Sequence, residues 1–392
     1  MRRAGGLGCG RAGAGAAGCH GASPAGGVGL TLLSVILAAA CGRAPPPGAT
    51  PADRIAEAAT VLEELVETYG VSGDEGRVRA AILAHLPDWA EPKLDSAGNV
   101  WVRVGQGEPL VVFVAHMDET GFEVTEIRDD GSLALRNRGG FLPWLWEATP
   151  ALVQTAGGPI SGVFTPRRKV ANPPGRVPAG GFGVDVGTSS RGETEDLGIR
   201  PGDMVTNPKR FVRLQGTRAT ARSFDDRVGS AAQLLAIDRL DPDRLHHQVL
   251  FLWVVEEEIG LFGSRAAAAN LKQTPARVYA IDTFVSADSP LDAQNFAVAP
   301  LGAGPVARMV DNSSVTPPAV RDSLLELARS HGIPLQRGTT NGGNDGSAFQ
   351  YWGVVDVPIG WPLRYSHSPV EVIDLKDVVA LSDLLAAIAV DW

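Results

Sequence analysis

The body of this 392-residue chain contains no cysteine; the three present, Cys9, Cys19 and Cys41, all lie near its N-terminus. That excludes a disulfide framework and a thiolate metal site in the body, so any metal there must be held by histidine, aspartate and glutamate. A dense stripe of Lys and Arg is also missing after residue 50, and the net charge is −9. Both features argue against nucleic acid as a partner. The apolar run at 28–40, VGLTLLSVILAAA, has 13 residues, too few to span a bilayer. With 44% hydrophobic and only 20% charged residues, the chain has enough apolar material for a substantial core, which excludes a disordered protein.

What is present begins with that run. A short apolar stretch ending in small residues, after a segment with three arginines and no acid, reads as a signal peptide. Its removal would leave the remainder three charges lower, at −12. LAAAC, with Cys41 just after the small residues, resembles a bacterial lipoprotein processing site, and Cys41 would then carry the lipid. The expectation is an exported protein, periplasmic or anchored to a bacterial membrane through Cys41. Residues 42–51, GRAPPPGATP, read as a semi-rigid linker.

The body is organised around residues 111–121, VVFVAHMDETG. Five largely apolar residues read as a strand covered on both faces. The run stops at His116, and Asp118 follows on the same side of an extended chain. The carboxyl end of a buried strand is where open α/β sheets place their chemistry. Ahead of it, 52–69 has helical spacing, SGDE (72–75) reads as a capping box for a second helix, and 98–104 reads as an edge strand pairing with the organising strand. Residues 122–216 break into short strand-like pieces, with Gly, Pro and Asp-Gly turns and a loop at 166–181. An α/β rhythm returns from Asp226. The predicted architecture is a mixed-sheet α/β catalytic domain, in two parts at 52–121 and 217–392, with a small all-β domain inserted at 122–216.

Four apolar strands each run into an acid or a histidine. SFDDR supplies Asp225 and Asp226; WVVEEEIG supplies Glu256, Glu257 and Glu258; YAID supplies Asp282; RYSHS supplies His367. Each alone has an ordinary structural reading. Together, so many carboxylates amid apolar sequence are costly to bury unless cations neutralise them. Two histidines with three carboxylates suit two divalent ions.

The order and wording of these stretches, from GVSGDEGRVR through DSAGNV, AHMDETGFEV, SFDDRVG, EEEIGLFGS and NGGNDGSAF to RYSHSPVEVID, resemble the glutamyl/deblocking aminopeptidases. That di-metal family includes tetrahedral particles. The resemblance covers about residues 55–390 and implies a phosphorylase/hydrolase-like α/β domain carrying an inserted β domain, through which copies would associate into a homo-oligomer. It also implies that His116, Asp225 and Asp282 hold one metal, and that Asp225 bridges to a second held by Glu258 and His367. Glu257 would be the general base, and Asp118 would orient His116. The ions would be zinc, with cobalt or manganese accepted by the same donors. Three departures stand out: Glu256, where relatives often have Gln and which would raise the pKa of Glu257; an Arg-rich loop at 166–169; and export, since the familiar members are cytoplasmic.

The resulting expectation is a metal-dependent aminopeptidase acting on peptides. Asp345, in NGGND, is a candidate for holding the substrate ammonium, or else a turn residue. Two rivals are a carboxypeptidase or deacylase on the same metals, with Arg364 binding a substrate carboxylate instead of pairing with a neighbouring acid, and a non-catalytic binding module.

Overall fold

The computed structural model describes residues 49–166, 182–289 and 297–392. The expected signal segment, Cys41, most of the linker and the loop at 167–181 lie outside the described residues. Helix α1 (Pro51–Glu67) starts at the end of that linker because Thr50 caps it: its Oγ accepts the Asp53 N–H at 3.2 Å, and its own N–H donates to the Asp53 carboxylate at 2.9 Å. Helix α2 (Gly76–His85) follows, but SGDE is not its capping box. Ser72 Oγ donates to Asp118 at 2.6 Å, and Glu75 occupies the cap position without a side-chain cap bond. A buried ionised acceptor is a stronger partner than a helix N–H.

Strands β1 (Lys93–Leu94) and β2 (Val100–Val104) lead to β3 (Leu110–His116), buried at every residue. Next come β4 (Gly121–Ile127), β5 (Leu133–Arg138), β6 (Pro150–Thr155), β7 (Gly158–Phe164), β8 (Gly183–Asp185), α3 (Arg191–Asp196) and β9 (Met204–Thr206). These six strands close into a barrel in the order β4-β5-β8-β7-β6-β9. Its core is aromatic: Phe122 packs against Trp146 edge-on at 5.1 Å and against Phe164 at 5.2 Å.

The chain continues through β10 (Val212–Arg213), β11 (Arg218–Ala221), α4 (Phe224–Ile237), β12 (Gln248–Val254), α5 (Phe262–Asn270), β13 (Arg277–Val285) and β14 (Val306–Val310). Then follow α6 (Pro318–Ser330), β15 (Gln336–Thr339), α7 (Ser347–Gln350), β16 (Val355–Asp356), β17 (Ile359–Leu363), β18 (Glu371–Asp374) and α8 (Leu375–Asp391). The barrel thus ends at Thr206, and β10, β11 and β18 form a separate three-stranded sheet in that order.

The main sheet runs β1-β2-β12-β3-β13-β17-β14-β15, with β16 beside β13. Strands β12, β3, β13 and β17 are parallel, so their carboxyl ends share one edge. Contrary to the sequence expectation, β2 pairs with β12 and not with β3. Strand β12 is apolar on both faces and needs a neighbour on each side, so it inserts between them. The alternation along β3 divides the core. Val111, Phe113 and Ala115 pack with α1, α4 and α8, whereas Leu110, Val112 and Val114 pack with α5 and α7. Each large side chain so buried contributes about 1.5–3 kcal/mol. Asp282 is not the last residue of its strand: Thr283, Phe284 and Val285 continue β13 because they keep pairing with β17.

Candidate metal centre

The shared carboxyl edge gathers the chemistry. Within the sheet, Val254 at the end of β12 pairs with His116 at the end of β3, which sets the 256–258 turn beside the histidine. Asp225 comes from the first turn of α4, where Asp225 and Asp226 depart from helical geometry and the peptide between them is cis. His367 comes from the loop between β17 and β18.

His116 is buried, and its Nε2 lies 3.3 Å from Asp225 Oδ1. The other oxygen of Asp225 lies 3.3 Å from His367 Nε2, which is 3.4 Å from Glu258 Oε1. One donor atom each from His116, Asp225 and Glu258 falls within 4.8 Å of the others. Asp282 faces the same cavity, of about 130 Å³, together with Glu257. Its carboxylate lies 3.6 Å from Arg308, a buried cation that nothing in the sequence pattern singles out. The structure therefore brings together His116, Asp225, Glu258 and His367, with Asp282 and Glu257 on the walls.

The second ring nitrogen of each histidine is also held. His116 Nδ1 is 3.2 Å from the main-chain oxygen of Asp118 and 3.4 Å from its Oδ1. The Asp118 carboxylate accepts the Glu257 N–H at 3.0 Å and the Glu258 N–H at 3.1 Å. His367 Nδ1 donates to the carbonyl of Gly140 at 2.6 Å, in the loop after β5 of the barrel. That loop comes this close because Gly139, at φ +109°, has no Cβ; one added there would lie 2.7 Å from Thr120.

The electrostatics are those of a site with excess negative charge. Burial pushes Glu258 up to about 7 and Asp282 up to about 6, in each case helped by the charge of Asp225. Burial also raises Glu257 well above the usual carboxylate range, with Asp345, Asp282 and Glu258 adding to it. Glu256 is not among the groups that raise Glu257 most, and its carboxylate faces Arg138 at 3.8 Å. Burial works against the charge on His116, but its bonds to Asp118 and Asp225 outweigh it and hold the ring well above its usual value. Glu258 Oε1 is buried without a hydrogen-bond partner. An orphaned carboxylate oxygen among imidazoles and further carboxylates is a donor set that fits a divalent cation.

The two candidate substrate contacts fare differently. Asp345 is buried and is not among the residues lining the cavity. Arg364 makes a two-point pair with Asp288, at 2.7 and 2.9 Å, which is the ion-pair alternative. Sequence reasoning missed several supporting groups. Glu75 accepts the Glu256 N–H at 3.2 Å and Glu371 accepts the His367 N–H at 2.9 Å. Glu119 is buried against Lys209 and Arg222 at 2.6 Å each and Arg227 at 3.6 Å. An acid set between apolar residues, Glu371 in PVEVI, was the available signal.

Next to the cavity opens a cleft of about 890 Å³, also bounded by His367. Phe141, Leu142 and Leu145 from the barrel form one wall, and Val285, Ala287 and Ala297 another.

A family model described as M42 glutamyl aminopeptidase matches residues 98–384. A lysyl aminopeptidase of Pyrococcus furiosus is 34% identical over 81% of this chain and 92% of its own length. The TET1 peptidase of Pyrococcus horikoshii, described as assembling into a tetrahedron or a large octahedral shell, superposes with a TM-score of 0.78 at 34% identity, covering 86% of this chain and all of that one. An aminopeptidase of the archaeon Desulfurococcus kamchatkensis superposes at 0.80 with 29% identity, covering 86% and 96%. With a match over most of its length and the metal-type donor set in place, the chain belongs to the M42 glutamyl aminopeptidase family and is a metal-dependent aminopeptidase, a hydrolase of peptide bonds.

Proposed function

We propose that this protein removes N-terminal residues from peptides at a centre of two divalent ions, zinc or an ion of similar preference. His116, Asp225 and Asp282 would hold one ion, and Asp225, Glu258 and His367 the other. The observation that carries the reading is the meeting of His116, Asp225 and Glu258 donor atoms within 4.8 Å at the carboxyl edge of parallel strands. The chemistry such ions supply is a water of lowered pKa and a polarised scissile carbonyl.

Glu257, on the cavity wall with a carboxyl pushed up by burial, takes the proton of the attacking water and passes it to the leaving amine. Asp118 holds the ring of His116 and the turn that carries Glu257. The carboxypeptidase alternative needs a free Arg364, and that guanidinium is bound to Asp288. Glu257→Gln tests the assignment. The variant should keep its metal content and lose at least 100-fold in kcat, within the range for general acid–base groups; a metal-loaded, fully active variant would refute it.

Export with lipid on Cys41 remains part of this reading, supported by the apolar run ending in LAAAC. Labelling of the expressed protein with a radioactive fatty acid, lost in Cys41→Ser, tests it. Association into a homo-oligomer is supported by the assembly described for the Pyrococcus horikoshii relative and is tested by light scattering; the contact through the inserted barrel is part of the proposal.

A further inference from the structure

Glu371 does not line the cavity, yet both of its oxygens are engaged with the backbone that carries the candidate donors. It opens β18 and is 2% exposed. Its Oε2 accepts the N–H of Phe224 at 2.7 Å and faces that of Asp225 at 3.4 Å; its Oε1 accepts the N–H of His367 at 2.9 Å. Two ladders meet at this residue. Glu371 pairs with Ala221, at the end of the strand that leads into Ser223 and Asp225. The next residue, Val372, exchanges two backbone bonds with Arg364 at 3.1 and 3.2 Å, closing the loop that presents His367.

The turns joined in this way are strained. Ser223 sits at φ +70°, Tyr365 at +62° and His367 at +58°, and none of them is glycine. Left-handed backbone at such residues persists only where the surroundings over-determine it. We propose that Glu371 is a positioning residue that fixes the separation of Asp225 and His367, and so builds the metal site through which both act. The groups its oxygens meet are all N–H donors, which a carboxylate satisfies at both oxygens. Glutamine has the same shape but offers one oxygen, and its amide N–H₂ would face a backbone N–H. The proposal rests on the reading of Asp225 and His367 as ligands.

The test is Glu371→Gln, with Glu371→Asp as a second variant that keeps the charge and shortens the reach. Each is loaded with Co(II), and the visible spectrum, metal affinity, kcat and KM are measured against wild type. Metal affinity should fall 10- to 100-fold in Glu371→Gln, the usual cost of losing a group that orients ligands. The Co(II) bands should shift, kcat should fall and recover with excess metal, and KM should stay near wild type. A wild-type spectrum and affinity in either folded variant overturns the proposal, as does lost activity at full metal content. If Glu371→Gln does not fold, Glu371→Asp decides by the same readings. A wild-type protein that binds no Co(II) would sink the ligand assignment itself, which separates the two failures.

Discussion

Asp118 accepts the main-chain N–H of Glu257 at 3.0 Å while its other oxygen takes the N–H of Glu258 at 3.1 Å and the hydroxyl of Ser72 at 2.6 Å. One buried carboxylate thereby fixes the backbone of both the proposed base and a proposed ligand, besides facing the ring of His116. Replacing Asp118 with Ala should weaken metal binding 10- to 100-fold and lower kcat, measured by metal titration and steady-state kinetics. Ser72→Ala removes one bond to a charged group and should cost about 1.5–3 kcal/mol of stability with a smaller change in kcat.

Metal removal should be felt in stability as well as in rate. Carboxyls at Glu258 and Asp282 are pushed up by burial beside Asp225, so a bound cation relieves their repulsion. A ligand at 1,000 times its Kd stabilises the native state by about 4.1 kcal/mol. Dialysis against a chelator should abolish hydrolysis of aminoacyl chromogenic substrates and lower Tm by several degrees. Adding back zinc, cobalt or manganese should restore both.

Glu119 should govern acid stability. Burial opposes its charge, but Lys209, Arg222 and Arg227 hold its carboxyl well below the usual range. A carboxyl depressed on folding contributes stability that is fully present above its unfolded value of about 4.3 and is lost as pH falls further. Glu119→Gln leaves three buried cations without a counter-charge, which should cost about 3–5 kcal/mol. Denaturant titrations at neutral pH should show that loss, and below about pH 4.3 the gap to wild type should narrow.

The cleft wall supplied by the barrel predicts a binding effect. Leu142, which lines the cleft and is 48% exposed, should contribute mainly by contact with substrate. Leu142→Ala should raise KM with kcat little changed for peptides with a bulky first side chain, the pattern of a lost uniform contact. An equal fall in kcat and kcat/KM would instead assign the leucine to the transition state.

Much of the centre was legible because buried strands announce themselves by apolar runs, and a run that ends at His116 or Glu256 marks a strand end at the edge of a sheet. Pairing partners were not legible. Periodicity gives the two faces of a strand but not its neighbour, so it does not reveal that β12 lies between β2 and β3. Supporting groups were hidden for the same reason. Ser72 and Glu75 satisfy a local helix signature while their partners, Asp118 and Glu256, are far along the chain. Arg308 had no local signal, since its meeting with Asp282 depends on a crossover.

The bond from His367 to the Gly140 carbonyl has a consequence for engineering. The inserted barrel is not an appendage that can be trimmed to leave a minimal enzyme, because its backbone aims one of the imidazoles. A chimera grafting a foreign barrel here would have to reproduce that single oxygen, and a graft that folds well but misplaces it should yield a soluble, well-ordered and catalytically crippled protein.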